Sequence, residues 1–409
     1  MKTILLAIAA VSLLANCSDA PERPTHRRAG MNRMEIQRII AQVQPGQVPH
    51  FVGKDMIDAE LSGMNFKHAD LSGAQMLGAE LQGANLSEAI LERTDLSGAN
   101  LTGADLRNAN LESSVLVNVD FKGANLTGAK FKGANLLGVK LNGAILVGAD
   151  FSGATMERAD LTQSALNKAN FTGTKMRYAV LTGTYLAETQ FTRTDLRDAD
   201  LRGADLSGLS LTYVNLNHAD MRLVNLSFAQ LSHVEMSDAN LSLGDFSSSK
   251  FEDCTFTNAN LTKADFNDAT ILRSRLEKVS LTGARMRKIY VANSSFNGSD
   301  LSDVNLFQGI ITTSELRGVN LHGSSLINAD LTRSDLAKSD LSDVNLNKAV
   351  LISVRLNSAN LTNADLRKAD IKGAFFGGAN IQGTNFAEVL NLDATIDLDK
   401  AINARHAKF

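Results

Sequence analysis

The sequence predicts an all-β solenoid, a chain wound into stacked coils over most of its length. Three observations predict it. Every fifth residue from Leu61 to Phe386 is large and apolar, and all 66 of these centres hold Leu, Phe, Met, Ile or Val. The residue two before each centre is usually small, most often Ala, as at Ala69, Ala74, Ala79 and Ala84. The residue two after it is often glycine, and 24 of the 30 glycines stand there.

A period of five suits no straight element. On an α-helix, steps of five turn each centre about 140° from the last, so the apolar column would wrap the cylinder. On a strand, five is odd, and successive centres would point to opposite faces. A chain that turns a corner once per unit brings every centre to a common axis. The small residue points inward too, where little room remains, and glycine near the corner supplies the dihedral freedom of the turn. Such coils stack through backbone hydrogen bonds along short strand-like sides.

Between the small residue and the centre the chain favours Asp or Asn, as in Ala104-Asp105-Leu106 and Ala109-Asn110-Leu111. Ala99-Asn100-Leu101-Thr102-Gly103 and Ala204-Asp205-Leu206-Ser207-Gly208 reproduce A-[DN]-L-x-x letter for letter. In these units the chain resembles the pentapeptide-repeat family. The resemblance implies a right-handed quadrilateral β-helix with four pentapeptides per coil, hence about 16 coils and a rod about 80 Å long at the spacing of stacked strands. It leaves the function open.

Taken in order, residues 1–17 read as an export signal. Lys2 precedes a 12-residue apolar run, Ile4 to Ala15, too short to span a bilayer comfortably. The run ends in Leu14-Ala15-Asn16-Cys17, which resembles the lipobox of bacterial lipoproteins, although Asn16 departs from the usual small residue. The resemblance makes Cys17 a lipidation site, and Ser18 after it implies the outer membrane of a Gram-negative cell. Cleavage after Ala20, with release to the periplasm or medium, and an uncleaved anchor are the competing readings. Residues 18–30 read as a flexible tether. In residues 31–54, Met31, Ile36, Ile39, Ile40 and Val43 fall at helical spacing ahead of Pro45-Gly46, predicting an amphipathic helix that covers the open end of the first coil.

Residues 55–388 form the solenoid. All four prolines precede it, as expected where each coil residue may be asked for a ladder N–H. From Leu209 to Leu281 glycine is scarce and the inner positions drift to Val214, Val224, Val234, Ser249 and Cys254, the last read as a buried, inert thiol. After Phe386 the phase fails, and Val389, Leu390, Leu392, Ile396, Leu398 and Ile402 suggest a capping helix over residues 389–409.

The chemistry is sparse. Charge is nearly balanced, 41 basic against 44 acidic residues. A 20-residue coil would stack Tyr178, Asp198, His218 and Asp238, which could hold a metal but reads more simply as polar stacking on a surface. No nucleophile set, phosphate loop or zinc spacing occurs, so the chain is expected to be non-catalytic, with no cofactor, metal, nucleic acid or small-molecule substrate. Some pentapeptide-repeat proteins protect DNA gyrase by presenting an acidic, DNA-like rod. Here the most acidic side carries ten acids against five bases, far sparser than duplex DNA at about one charge per 1.7 Å.

The remaining expectation is an envelope lipoprotein whose rod is an interaction scaffold, with a secreted effector as the alternative. Its partner surface is placed at outward positions that are apolar where polar residues are the rule: Leu272, Tyr290, Phe307, Ile310, Ile327, Val350 and Ile352. Such clustering marks recognition of another protein or a second copy of the chain.

Overall fold

A computed structural model describes residues 30–409; the signal, Cys17 and nearly all of the tether lie outside the described residues. From His50 to Asp370 the outward residues just before the centres pair, in parallel, with the residue 20 positions on, Gln190 being the exception. His50 pairs with Asp70, Asp70 with Ile90, and the series continues to Asp370 with Leu390. The fold is a parallel β-solenoid with four five-residue sides per coil.

One pentapeptide shows why this sequence makes this shape. In Leu101-Thr102-Gly103-Ala104-Asp105, the Leu101 N–H donates to the Asp120 carbonyl at 2.7 Å and Gly103 N–H to Lys122 at 3.0 Å, both one coil ahead. Asp105 N–H donates back to Ala84 at 3.0 Å, and Ala104 N–H closes the turn on Leu101 at 3.0 Å. The fifth donor, Thr102 N–H, goes to the side-chain Oδ1 of Asn100 at 3.1 Å, which also takes the Thr102 hydroxyl at 2.7 Å. The preference for Asp or Asn before each centre thus has a cause. No backbone atom reaches that amide, so a short side-chain acceptor has to.

The corner residue two after each centre lies in the left-handed region whether or not it is glycine. Leu223 has φ 60°, Phe228 59° and Tyr213 57°, beside 65° at Gly103. Glycine is therefore the relaxed choice at the corner, not a required one.

Every centre from Phe51 to Phe386 is buried, and the inner residues fill the space between coils. On one side phenylalanines from successive coils lie face to face: Phe131 on Phe151 at 4.7 Å, Phe151 on Phe171 at 5.1 Å and Phe171 on Phe191 at 5.4 Å. The same side then becomes a six-stranded parallel sheet in order β1 to β6. These strands are β1 Ser210–Thr212, β2 Gln230–Ser232, β3 Lys250–Glu252, β4 Thr270–Leu272, β5 Tyr290–Ala292 and β6 Ile310–Thr312. Cys254 is 1 % exposed, and burial pushes its thiol up to about 11.

At the N-terminal end, α1 (Arg33–Ala41) starts on a reciprocal cap between Asn32 and Glu35, and buries Ile36 against the first coil. Arg33 Nη1 donates to the Ser62 carbonyl at 3.0 Å.

The C-terminal expectation needs correcting. Instead of a capping helix, residues after 388 form three short 3₁₀ turns, Leu392–Ala394, Leu398–Lys400 and Ala404–His406. They extend the solenoid with sides of six residues. Left-handed corners recur at Asn391, Asp397 and Asn403, and the pairing slips one residue per side, Phe375 with Ile396, Asn380 with Ile402 and Asn385 with Lys408. The period lengthened from five to six, and its apolar residues imitated a helical stripe.

Candidate partner-binding surface

The apolar outward residues divide into groups. Tyr290 in β5 and Ile310 in β6 are direct register partners, 42 % and 39 % exposed. Leu272 in β4 is half-buried and pairs with the buried Ala292. Phe307 and Ile327, both half-buried, stack on the neighbouring side, beyond the corner at Gln308. The Arg287 guanidinium lies 5.3 Å from the centre of the Phe307 ring and covers part of it.

Val350 and Ile352 do not join this group. Asp330 stands between Ile310 and Val350 in the ladder, and Thr332, bonded to Asp330 Oδ1, intervenes before Ile352. The surface that the structure assembles is therefore Leu272, Tyr290, Ile310, Phe307 and Ile327. Beside it a polar cleft of about 420 Å³ is lined by Arg273, Arg275, Glu277 and Glu315.

Four further exposed apolar side chains stand at corners. Phe228 is 68 % exposed, Leu223 62 %, Leu243 54 % and Tyr213 51 %, all with positive φ. A large apolar residue two after a centre, in the slot where glycine is regular, is the sequence signal for them.

The column of Tyr178, Asp198, His218 and Asp238 runs up one corner, with φ between 57° and 62°. Its carboxylates are engaged elsewhere. Arg177 Nε donates to Asp198 Oδ2 at 2.8 Å, and Asn258 Nδ2 donates to Asp238 Oδ1 at 3.1 Å. The Arg177 and Arg158 guanidinium groups lie 4.7 and 6.0 Å from the centre of the Tyr178 ring. Among the described residues no group of three or more His, Cys, Asp or Glu is placed to hold a metal ion.

The Asp-before-centre rule also organises charge. Where Arg follows the centre, it reaches back over it. Arg197 donates to both oxygens of Asp195 at 2.8 and 2.6 Å, and Arg202 and Arg222 do likewise to Asp200 and Asp220. These guanidinium hydrogen bonds hold the three carboxyls below the usual carboxylate range, against the opposing effect of burial.

A family model described as pentapeptide repeats matches eight times, over residues 55–93, 94–133, 134–173, 164–203, 204–242, 239–271, 314–351 and 349–387. The stretch 272–313, which holds Leu272, Tyr290, Phe307 and Ile310, is not matched, although its coils continue in register. Among solved structures, the chain is similar to HetL, a pentapeptide repeat protein involved in heterocyst differentiation regulation in the cyanobacterium Nostoc. The identity is 20 %, covering 93 % of this chain and 100 % of HetL, with a TM-score of 0.23. A pentapeptide repeat protein of the Arabidopsis thaliana thylakoid lumen is 35 % identical over 27 % of this chain and 71 % of its own, with a TM-score of 0.19. QnrB1, a plasmid-mediated fluoroquinolone resistance protein, is 15 % identical over 46 % of this chain and 92 % of its own, with a TM-score of 0.27. A search of curated protein sequences returns no match.

Proposed function

Because the chain belongs to the pentapeptide-repeat family, we propose that it is a non-catalytic scaffold: a right-handed rod of about 16 coils, displayed from the bacterial envelope, that binds another protein or a second copy of itself. The observation that carries this reading is the Tyr290–Ile310 pair. Two large apolar side chains stand exposed in register on the flat sheet of β1–β6, flanked by Leu272 and, around the corner, by Phe307 and Ile327. Pairing between sheet neighbours holds such residues in fixed relative positions, so a partner meets a preformed surface and little ordering cost remains. The regular sides carry no inserted loop, the usual seat of catalytic groups.

Membrane attachment is proposed through lipid on Cys17, with residues 18–30 as spacer. Two experiments test the reading separately. Labelled fatty acid is expected in the wild type and not in Cys17→Ala; equal labelling of both excludes the anchor. Phe307→Glu combined with Ile310→Lys is expected to leave thermal stability nearly unchanged, because both side chains point away from the axis, while abolishing co-purification or self-association. Retained binding excludes the surface.

A further inference from the structure

Two residues in one column of inner positions are too large for a slot that usually takes alanine, and the fold accommodates them differently. Ile289 faces Gly309 in the next coil, where an added Cβ would come within 3.3 Å of Ile289 Cγ2. The missing methyl makes room. The ladder there is intact, with Tyr290 N–H donating to Ala269 at 2.9 Å and Ile310 N–H to Ile289 at 2.8 Å.

Four coils earlier, Leu209 follows Thr189 in the same column, and nothing shrinks to admit it. Thr189 is β-branched, and its hydroxyl is tied to the Leu166 carbonyl at 2.9 Å. Between these two coils the ladder opens. Among the described residues, no short, well-aligned backbone bond links the Leu186, Glu188 and Phe191 N–H groups to the Asp205, Ser207 and Ser210 carbonyls, or Ser210 N–H to Thr189, although Tyr185 and Asp205 remain register partners. Gln190 pairs with Asn170 behind it but not with Ser210 ahead. A cleft of about 320 Å³ occupies the gap, bounded by Glu188, Thr189, Gln190, Thr192, Gly208, Leu209 and Ser210. Overpacking of a close-packed interior is relieved by shifting backbone, and here the shift separates two coils.

The separation is one-sided. Corners keep their form, with φ 60° at Glu188 and 67° at Gly208. On the two sides farthest from the cleft the pairs Val180–Asp200 and Asp195–Asn215 hold. The corner between those sides is bridged from one coil to the next by Arg177 and Asp198.

We propose that this seam is a joint built into the rod: it opens at the Glu188–Gly208 corner, pivots on the diagonally opposite Arg177–Asp198 corner, and lets the coils before and after it rock as two stiff segments. Elsewhere every pentapeptide locks its coil to the next through several backbone bonds. The seam has lost those bonds along adjoining sides, and compliance concentrates where bonds are fewest.

Hydrogen exchange on the full chain tests this. The amides of Leu186, Glu188, Phe191 and Ser210 are expected to exchange at least about tenfold faster than their counterparts one coil earlier, at Leu166, Lys168, Phe171 and Gln190. Leu209→Ala is expected to slow them to the rate of neighbouring coils and to leave the melting temperature unchanged or higher, the reverse of an ordinary core truncation. Thr189→Gly, which clears the inner slot in the coil before Leu209 and keeps Leu209, is expected to slow them likewise. Equal protection of both sets in the wild type overturns the joint, as does fast exchange that persists in both variants.

Discussion

Ser294 Oγ accepts the backbone N–H of Ser274 at 3.1 Å, from the next coil along. The contact repeats up one inner column: Ser274 Oγ accepts from Cys254, Ser314 Oγ from Ser294 and Ser334 Oγ from Ser314. Where alanine fills an inner position, its N–H turns back to the preceding centre, as Ala269 does to Phe266 at 3.1 Å. At the inner residue that follows each of β3 to β6 that turn is absent and a hydroxyl replaces the carbonyl. Ser294→Ala, though it restores the commonest inner residue, is expected to strand a buried N–H and cost about 1–3 kcal/mol. Chemical denaturation measures it, and a neutral result removes the ladder's structural role.

The phenylalanine stack predicts a larger loss. Phe151 lies within 5.1 Å of a parallel ring on each side. Phe151→Ala is expected to cost about 3–5 kcal/mol, whereas Phe151→Leu, which gives this centre the commonest residue of the other coils, should cost clearly less. The two denaturation midpoints give the comparison.

Corners predict a gain. Leu223 adopts φ 60° with its side chain 62 % exposed, so it carries backbone strain and little burial. Leu223→Gly is expected to stabilise the fold by up to about 1 kcal/mol, the relief of strain being partly offset by a more flexible unfolded chain. A loss of stability in a calorimetric scan would mean that the exposed Leu223 packs in a way its surroundings do not reveal.

Acid should weaken the rod through the Asp–Arg pairs. Asp195, Asp200 and Asp220 hold native pKa values below the usual carboxylate range, so below about pH 4 the unfolded chain takes up protons that the native one refuses. Their stabilisation is complete above the unfolded value and is lost as pH falls through the native one. Exposed pairs contribute modestly, so a shallow slope is expected. Melting temperatures between pH 5 and pH 2 should fall less steeply in the Arg197→Ala, Arg202→Ala, Arg222→Ala triple variant.

Much of this was legible because one rule repeats. Leu101 and Phe151 announce a buried axis by spacing alone, and each inner alanine announces how close the coils lie. The function of Asn100 was not legible, since an acceptor for the Thr102 N–H is needed only once the turn is known. Frequent glycine marks the corners as needing dihedral freedom, and Tyr213 and Phe228 adopt the same geometry without it. The tail misled because Leu392, Ile396 and Leu398 satisfy helical spacing and a six-residue side equally well. Among the outward apolar residues, residue type picks out Tyr290 and Ile310, while the ladder puts Asp330 between them and Val350. The fault at Leu209 depends on what stands in the coil before it, a relation between positions 20 apart that no local pattern contains.

The pairing of each residue with the one 20 positions on also governs how such a chain can change length. Deleting one coil, for example 230–249, would bring Leu209 and Ile289 one coil closer and leave each outward residue facing its former direction. Deleting a single pentapeptide would keep every centre buried and every corner intact, yet turn all that follows by a quarter revolution about the axis. Tyr290 and Ile310 would then face a different compass point from everything upstream. Heredity can therefore redirect the distal surface of this rod while leaving the contacts within that surface as they were, simply by counting in fives.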